Sequence, residues 1–89
     1  MEELLRKLGI VDKPTEKEDS YIIDIQDSDE YARYYSKLDK SDLVEEDEES
    51  SQITLENSSI QYETTDGKFN LTLLADFDGD VYTLVIKEN

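Results

Sequence analysis

The chain contains no cysteine, no histidine and no tryptophan, and only one proline and three glycines. Without cysteine there is no disulfide and no thiolate chemistry. Without histidine the commonest general base and the commonest metal ligand are gone. No apolar run approaches membrane-spanning length, and no basic-then-apolar leader opens the chain. The expected location is therefore cytoplasmic. Bases are scarce too: nine Lys and Arg stand against 24 Asp and Glu, for a net charge of −15. Such a surface is repelled by nucleic acid and by anionic lipid. The expectation is no direct nucleic-acid binding, no membrane contact, no cofactor and a basic partner.

What is present suits one small folded unit. Eighty-nine residues, 36% hydrophobic and 37% charged, allow a single domain, 1–89, with one modest core. The charge is uneven. Residues 21–51 hold eleven acids and three bases, net −8, against −2 for 1–20 and −5 for 52–89. Self-repulsion at that density costs stability. The densest stretch is "VEEDEESS", Val44–Ser51, with five consecutive acids.

The local patterns indicate an α+β fold. "EELLRKLGI" predicts a short helix over 2–8, with Leu4, Leu5 and Leu8 on one face and Gly9 to end it. "YIIDI", Tyr21–Ile25, is β-branched and aromatic and predicts a strand. Asp27 followed by Glu30 resembles a capping box opening a second helix over 28–38. Tyr31, Tyr34, Tyr35 and Leu38 then share one helical face, which favours core packing over a binding platform.

The last third predicts a four-stranded antiparallel β-meander over 52–88. Asp66–Gly67 and Asp78–Gly79 each sit between strand-like runs, the strongest short hairpin signal. These turns set Tyr62 opposite Leu71, Ile60 opposite Leu73, Leu73 opposite Leu84 and Leu71 opposite Ile86. A turn at Asn57–Ser58 adds Ile53 opposite Tyr62 and Leu55 opposite Ile60. Two apolar rows result, Ile53–Tyr62–Leu71–Ile86 and Leu55–Ile60–Leu73–Leu84, on one face. A one-residue slip would turn them outward. The helices are expected to cover that face. The other face is mostly polar, with Leu74, Val81 and Val85 as a small apolar patch; this patch and the open sheet edges suit either a homodimer or cover within the chain by helix 2–8 or strand 21–25.

Catalytic chemistry finds little support. Asp76, Asp78 and Asp80 in "DFDGD" have a calcium-loop flavour, but Gly79 falls at loop position 4 instead of 6 and Lys87 stands where Glu is needed. The segment fits a hairpin turn better. No glycine-rich phosphate loop, histidine triad or zinc ligand set exists, and a small domain offers little burial to raise a carboxyl pKa. The chain is expected not to be an enzyme.

The charge itself is then the candidate function. A like-charge run is most often a solvated segment. Here the acids extend beyond the run, onto a chain that otherwise looks well folded. Alternate strand residues lie about 6.6 Å apart, close to the roughly 6.8 Å spanned by two base steps of duplex. Held rigidly, Asp39, Asp42, Glu45, Glu46, Asp47, Glu48 and Glu49, joined by Asp27, Asp29 and Glu30, can stand in for phosphates. In size, charge, lack of Cys and His, and the stretches "VEEDEESS", "DSDE" and "DFDGD", the chain resembles a functional class: small acidic phage-encoded DNA mimics. These include uracil-DNA glycosylase inhibitors, anti-CRISPR proteins, anti-restriction proteins and inhibitors of nucleoid proteins. The resemblance implies stoichiometric occlusion of a basic nucleic-acid-binding protein, without catalysis, in the host cytoplasm. The rival reading is an immunity or antitoxin protein that neutralises a basic nuclease. A third is an adaptor domain whose acids only keep it soluble.

Overall fold

Two helices lie on one face of a single antiparallel sheet. The computed structural model describes all residues, 1–89. In chain order the elements are α1 (Glu2–Leu8), β1 (Thr15–Lys17), β2 (Ser20–Ile25), α2 (Ser28–Lys40), β3 (Val44–Glu46), β4 (Gln52–Ile53), β5 (Asn57–Thr64), β6 (Phe69–Asp76) and β7 (Val81–Glu88). The sheet has seven strands, ordered β1-β2-β7-β6-β5-β3, with β4 also paired to β5.

Three cross-strand rows form the inner face. They are Tyr21–Ile86–Leu71–Tyr62, Ile23–Leu84–Leu73–Ile60 and Ile25–Tyr82–Ala75–Ser58. Leu71, Leu73, Leu84 and Ile86 have no exposed surface; burying each such side chain contributes about 1.5–3 kcal/mol. The helices close this layer with Leu5 and Leu8 from α1 and Tyr34 and Leu38 from α2.

The helix ends follow their residues. Asp27 caps α2, its carboxylate accepting from the Glu30 amide at 2.9 Å. Glu30 does not reach back to complete a box; it pairs with Arg33 instead. Gly9 ends α1 at φ 77°, a left-handed conformation that glycine adopts freely. The α1 terminus is tied to α2 by Lys37 Nζ, which donates to the Gly9 carbonyl at 2.7 Å. The Tyr34 hydroxyl donates to Asp12. Tyr31 packs edge-on to Phe77, with ring centres 5.9 Å apart, and lies 5.2 Å from Tyr82. Its hydroxyl and Ser58 Oγ share a hydrogen bond of 2.9 Å. Of the expected tyrosine face, Tyr35 alone is left largely exposed, at 39%.

The α+β expectation holds, while a four-stranded meander understates the sheet. Strands β5, β6 and β7 pair in the expected register: Tyr62 faces Leu71, Ile60 faces Leu73, Leu73 faces Leu84 and Leu71 faces Ile86. The fourth strand differs. Ile53 faces Ser58, four residues out of the expected register, and Ile53 and Leu55 are 69% and 99% exposed. The reversal falls at Thr54–Asn57, ahead of Asn57–Ser58. Thr54 Oγ1 donates to the Asn57 carbonyl at 2.9 Å and accepts the Asn57 amide at 3.0 Å. This local side-chain bonding competes with ladder formation and cuts β4 to two residues. The edge beside Tyr62 goes instead to Glu46 of β3. The strand expected at 21–25 forms as β2 and pairs with β7 on the sheet's other side.

Both Asp-Gly turns open into four-residue loops. In the first, Gly67 takes φ 75°, and the Lys68 amide and Thr64 hydroxyl donate to Asp66 Oδ1 at 3.0 and 2.8 Å. Those donors, the amide first, hold the Asp66 carboxyl below its usual range. In the second, the Gly79 amide donates to Asp76 Oδ1 at 3.0 Å, and the left-handed position falls on Asp80, φ 53°. A side chain there is strained. Asp80→Gly is expected to raise unfolding stability by about 0.5 kcal/mol, after allowing for the freer unfolded chain. Urea denaturation checks it; a lower midpoint would contradict the strain.

Candidate protein-binding surface

The acidic run is an edge strand followed by a tight turn. Acidic side chains are poor strand formers, so the anchoring comes from their neighbours. Val44 is buried at 6% exposure, opposite Thr64. The Thr65 amide donates to the Leu43 carbonyl at 2.9 Å, and the Asp47 amide to the Gln61 carbonyl at 2.8 Å. The Gln61 amide donates to Ser51 Oγ at 2.9 Å, which itself donates to the Asp47 carbonyl at 2.8 Å. Ser50 and Ser51 close a turn through amides donated to the carbonyls of Asp47 and Glu48. Serine supplies the short hydroxyl this turn needs.

That frame fixes where the carboxylates stand. Glu45 lies directly opposite Glu63, and Glu46 opposite Tyr62. Strand alternation sends Glu45 and Glu63 to the outer face and Glu46 to the helix side. Glu45, Glu46, Asp47 and Glu63 share a shallow groove with Thr64, Thr65 and Gly67. Like charges directly opposite one another destabilise a sheet. Nothing within the chain relieves them. The ion pairs are Arg6–Glu3 at 3.5 Å, Lys7–Glu3 at 3.6 Å and Arg33–Glu30. None reaches Asp39, Asp42 or Glu45–Glu49.

The field shows in the neighbouring phenols. Tyr35 is pushed above the usual phenol range chiefly by Asp39, then by burial and Glu46. Tyr62 is pushed up chiefly by burial, then by Glu46. Asp39 and Glu46 thus act together at the end of α2. The Tyr62 hydroxyl is buried with no hydrogen-bond partner.

The ten candidate residues do not form one continuous surface. Asp39, Asp42 and Glu45–Glu49 gather at the C-terminal end of α2 and along β3. Asp27, Asp29 and Glu30 stand at the other end of α2, about 18 Å away for a thirteen-residue helix. Arg33, Lys37 and Lys40, spaced four and three residues apart, run along the helix between them. Two of the three distant acids serve the fold: Asp27 caps the helix and Glu30 pairs with Arg33. That end forms a second acidic patch with the β6–β7 turn. Tyr82 links the two, pushed up chiefly by Asp80, with Asp27 adding to the effect.

Sequence reasoning missed Glu63 as a member of the first patch. Its outward direction was legible from the hairpin register. Its pairing with Glu45 was not, because no turn signal marks β3. No protein family, curated protein or solved structure matches this chain.

Proposed function

We propose that this protein is a non-catalytic acidic inhibitor that occupies the nucleic-acid-binding surface of a basic protein in place of DNA. The observation that carries this reading is the unneutralised carboxylate set on β3 and β5. A backbone-bonded edge strand holds Glu45 against Glu63 at a cost in stability. A solvated loop needs no such frame, and a soluble adaptor needs no such opposition. Glu45 lies in β3 and Asp47 just past its end; extended chain spaces alternate residues about 6.6 Å apart, which suits successive phosphate sites in a cationic groove. Because the backbone that carries the carboxylates is held in place before contact, little backbone-ordering entropy is lost on binding. The partner is a basic nucleic-acid-binding protein of the host cytoplasm, engaged stoichiometrically. No helix is long and apolar enough to cross a membrane.

The test is competition. Excess duplex DNA added to the preformed complex is expected to displace this protein from its partner. Raising the salt from about 50 to 200 mM is expected to weaken the complex, as it does for DNA itself. A ternary complex of partner, DNA and this protein would rule out phosphate mimicry.

A further inference from the structure

The bare face of the sheet has an unusual charge layout for this chain. With 37% of residues charged, its two central rows are nearly free of charge. One reads Thr15–Ile22–Val85–Thr72–Gln61, with Asp47 bonded to Gln61 at its margin, the other Asp24–Thr83–Leu74–Ser59–Gln52, with Asp24 at its margin. No helix covers them; Leu74 is 37% exposed, and Val81 beyond is 58% exposed. The next row holds the only two cations of the face, and it is ordered. Across the sheet it reads Lys17–Ser20–Lys87–Asn70–Glu63–Glu45. Bases occupy the β1 half and acids the β3 half.

Such a row is self-complementary. A twofold axis parallel to the strands, passing between β7 and β6, maps β1 onto β3 and β2 onto β5 of a second copy. Lys17 of one copy then meets Glu45 of the other, and Lys87 comes beside Glu63. The same rotation lays Val85 on Thr72 and Thr83 on Leu74. Two sheets packed this way sit about 10 Å apart with strands nearly aligned. The face spans roughly 25 by 20 Å from strand spacing and rise, about 500 Å² per copy. That reaches the ~1,000 Å² total at which specific interfaces begin.

We infer that the bare sheet face binds a second copy of this chain, with Lys17 and Lys87 of each copy neutralising the Glu45–Glu63 pair of the other. The inference does not rest on the proposed function. Combined with it, dimerisation and a basic partner compete for the same two carboxylates.

Sedimentation equilibrium at physiological salt, up to high micromolar concentration, tests the seam. A dimer with a dissociation constant in the micromolar range is expected for an interface this small. Lys17→Glu alone and Glu45→Lys alone are each expected to weaken it at least tenfold, because each change acts twice in a twofold dimer. The two together restore it to within about threefold of the original. Both side chains are exposed, so circular dichroism should show the fold unchanged. Val85→Asp places a charge in the central rows and is expected to abolish the dimer. A monomer throughout the concentration range overturns the inference. So does a dimer indifferent to both single reversals, which locates the contact elsewhere, such as the open edge of the sheet at β1. The DNA competition experiment reads neither of these results, so the two proposals fail separately.

Discussion

Replacing Glu45, Glu46, Asp47, Glu48 and Glu49 by Gln and Ser is expected to slow association with the basic partner by about ten- to a hundredfold at low salt. The salt dependence of the on-rate should flatten at the same time. The physical ground is steering: a concentrated field of one sign raises encounter rates by about 10–10³-fold and is lost as ions screen it. The fold should survive, because the backbone bonds that hold β3 use Leu43, Asp47, Ser51, Gln61 and Thr65 main-chain or serine groups; of the five acids only Asp47 lends its carboxylate to the frame, accepting the Ser50 amide at 3.3 Å. Removing Glu45 also ends its opposition to Glu63, so the variant should unfold at a slightly higher urea concentration. The partner for the measurement is the protein retained from host lysate on the immobilised chain at low salt and released at high salt.

The second acidic patch supplies the control. Changing Asp76, Asp78 and Asp80 to Asn alters the net charge by three at the far end of α2. If charge acts only through the total, those changes should slow association in proportion. If the β3 edge is the docking surface, they should slow it far less. Unchanged low-salt association in the β3 variant would return that strand to a purely structural role.

The parts of this architecture that were legible in the sequence share one property: two local signals that agree. The β5–β6–β7 register was readable because each Asp-Gly turn points to the same apolar rows as the alternation of Ile60, Tyr62, Leu71, Leu73, Leu84 and Ile86. The start of α2 was readable because Asp27 and the Tyr31–Tyr34–Leu38 spacing agree. Ile53 and Leu55 misled for the converse reason. Their alternation mimics a core strand, but the Thr54 hydroxyl closes a turn that the pattern of apolar residues does not record. Strand β3 was illegible because its anchors are one buried valine and a set of backbone bonds exchanged with 61–65. A run of acids carries no strand signal, and only the tertiary partner makes one. The split of the ten acids into two patches follows from the same limit. Sequence distance between Glu30 and Asp39 does not say that a rigid helix with a basic stripe keeps them apart.

Alkaline pH is expected to unfold the protein more steeply than its charge alone explains. Tyr34 and Tyr62 are both buried, at 2% exposure, and both are pushed well above the ordinary phenol value of 10.0. Burial is the main cause for each. For Tyr34 the next is its hydrogen bond to Asp12, and for Tyr62 the charge of Glu46. The sign follows from proton counting. Above about pH 10 the unfolded chain releases these protons while the native state keeps them, so stability falls as pH rises. It is fully present below that value. Each phenol contributes a slope of about 1.4 kcal/mol per pH unit, so the pair gives about 2.8. Over one and a half units that is about 4 kcal/mol, a large share of the ~5–15 kcal/mol that holds a small domain together. Urea midpoints between pH 9 and 11.5 measure it. Self-repulsion among the carboxylates is common to every variant. The informative quantity is therefore the difference between variants. Tyr62→Phe should lower the slope by its own share, about 1.4 kcal/mol per pH unit, and leave neutral-pH stability equal or higher by about 1 kcal/mol, since its hydroxyl has no partner to lose. Tyr34→Phe should lower the slope by the same amount but cost about 1 kcal/mol at neutral pH, because the bond to Asp12 goes with it. A Tyr62→Phe protein with the original slope would mean that this phenol titrates freely, with its hydroxyl open to water.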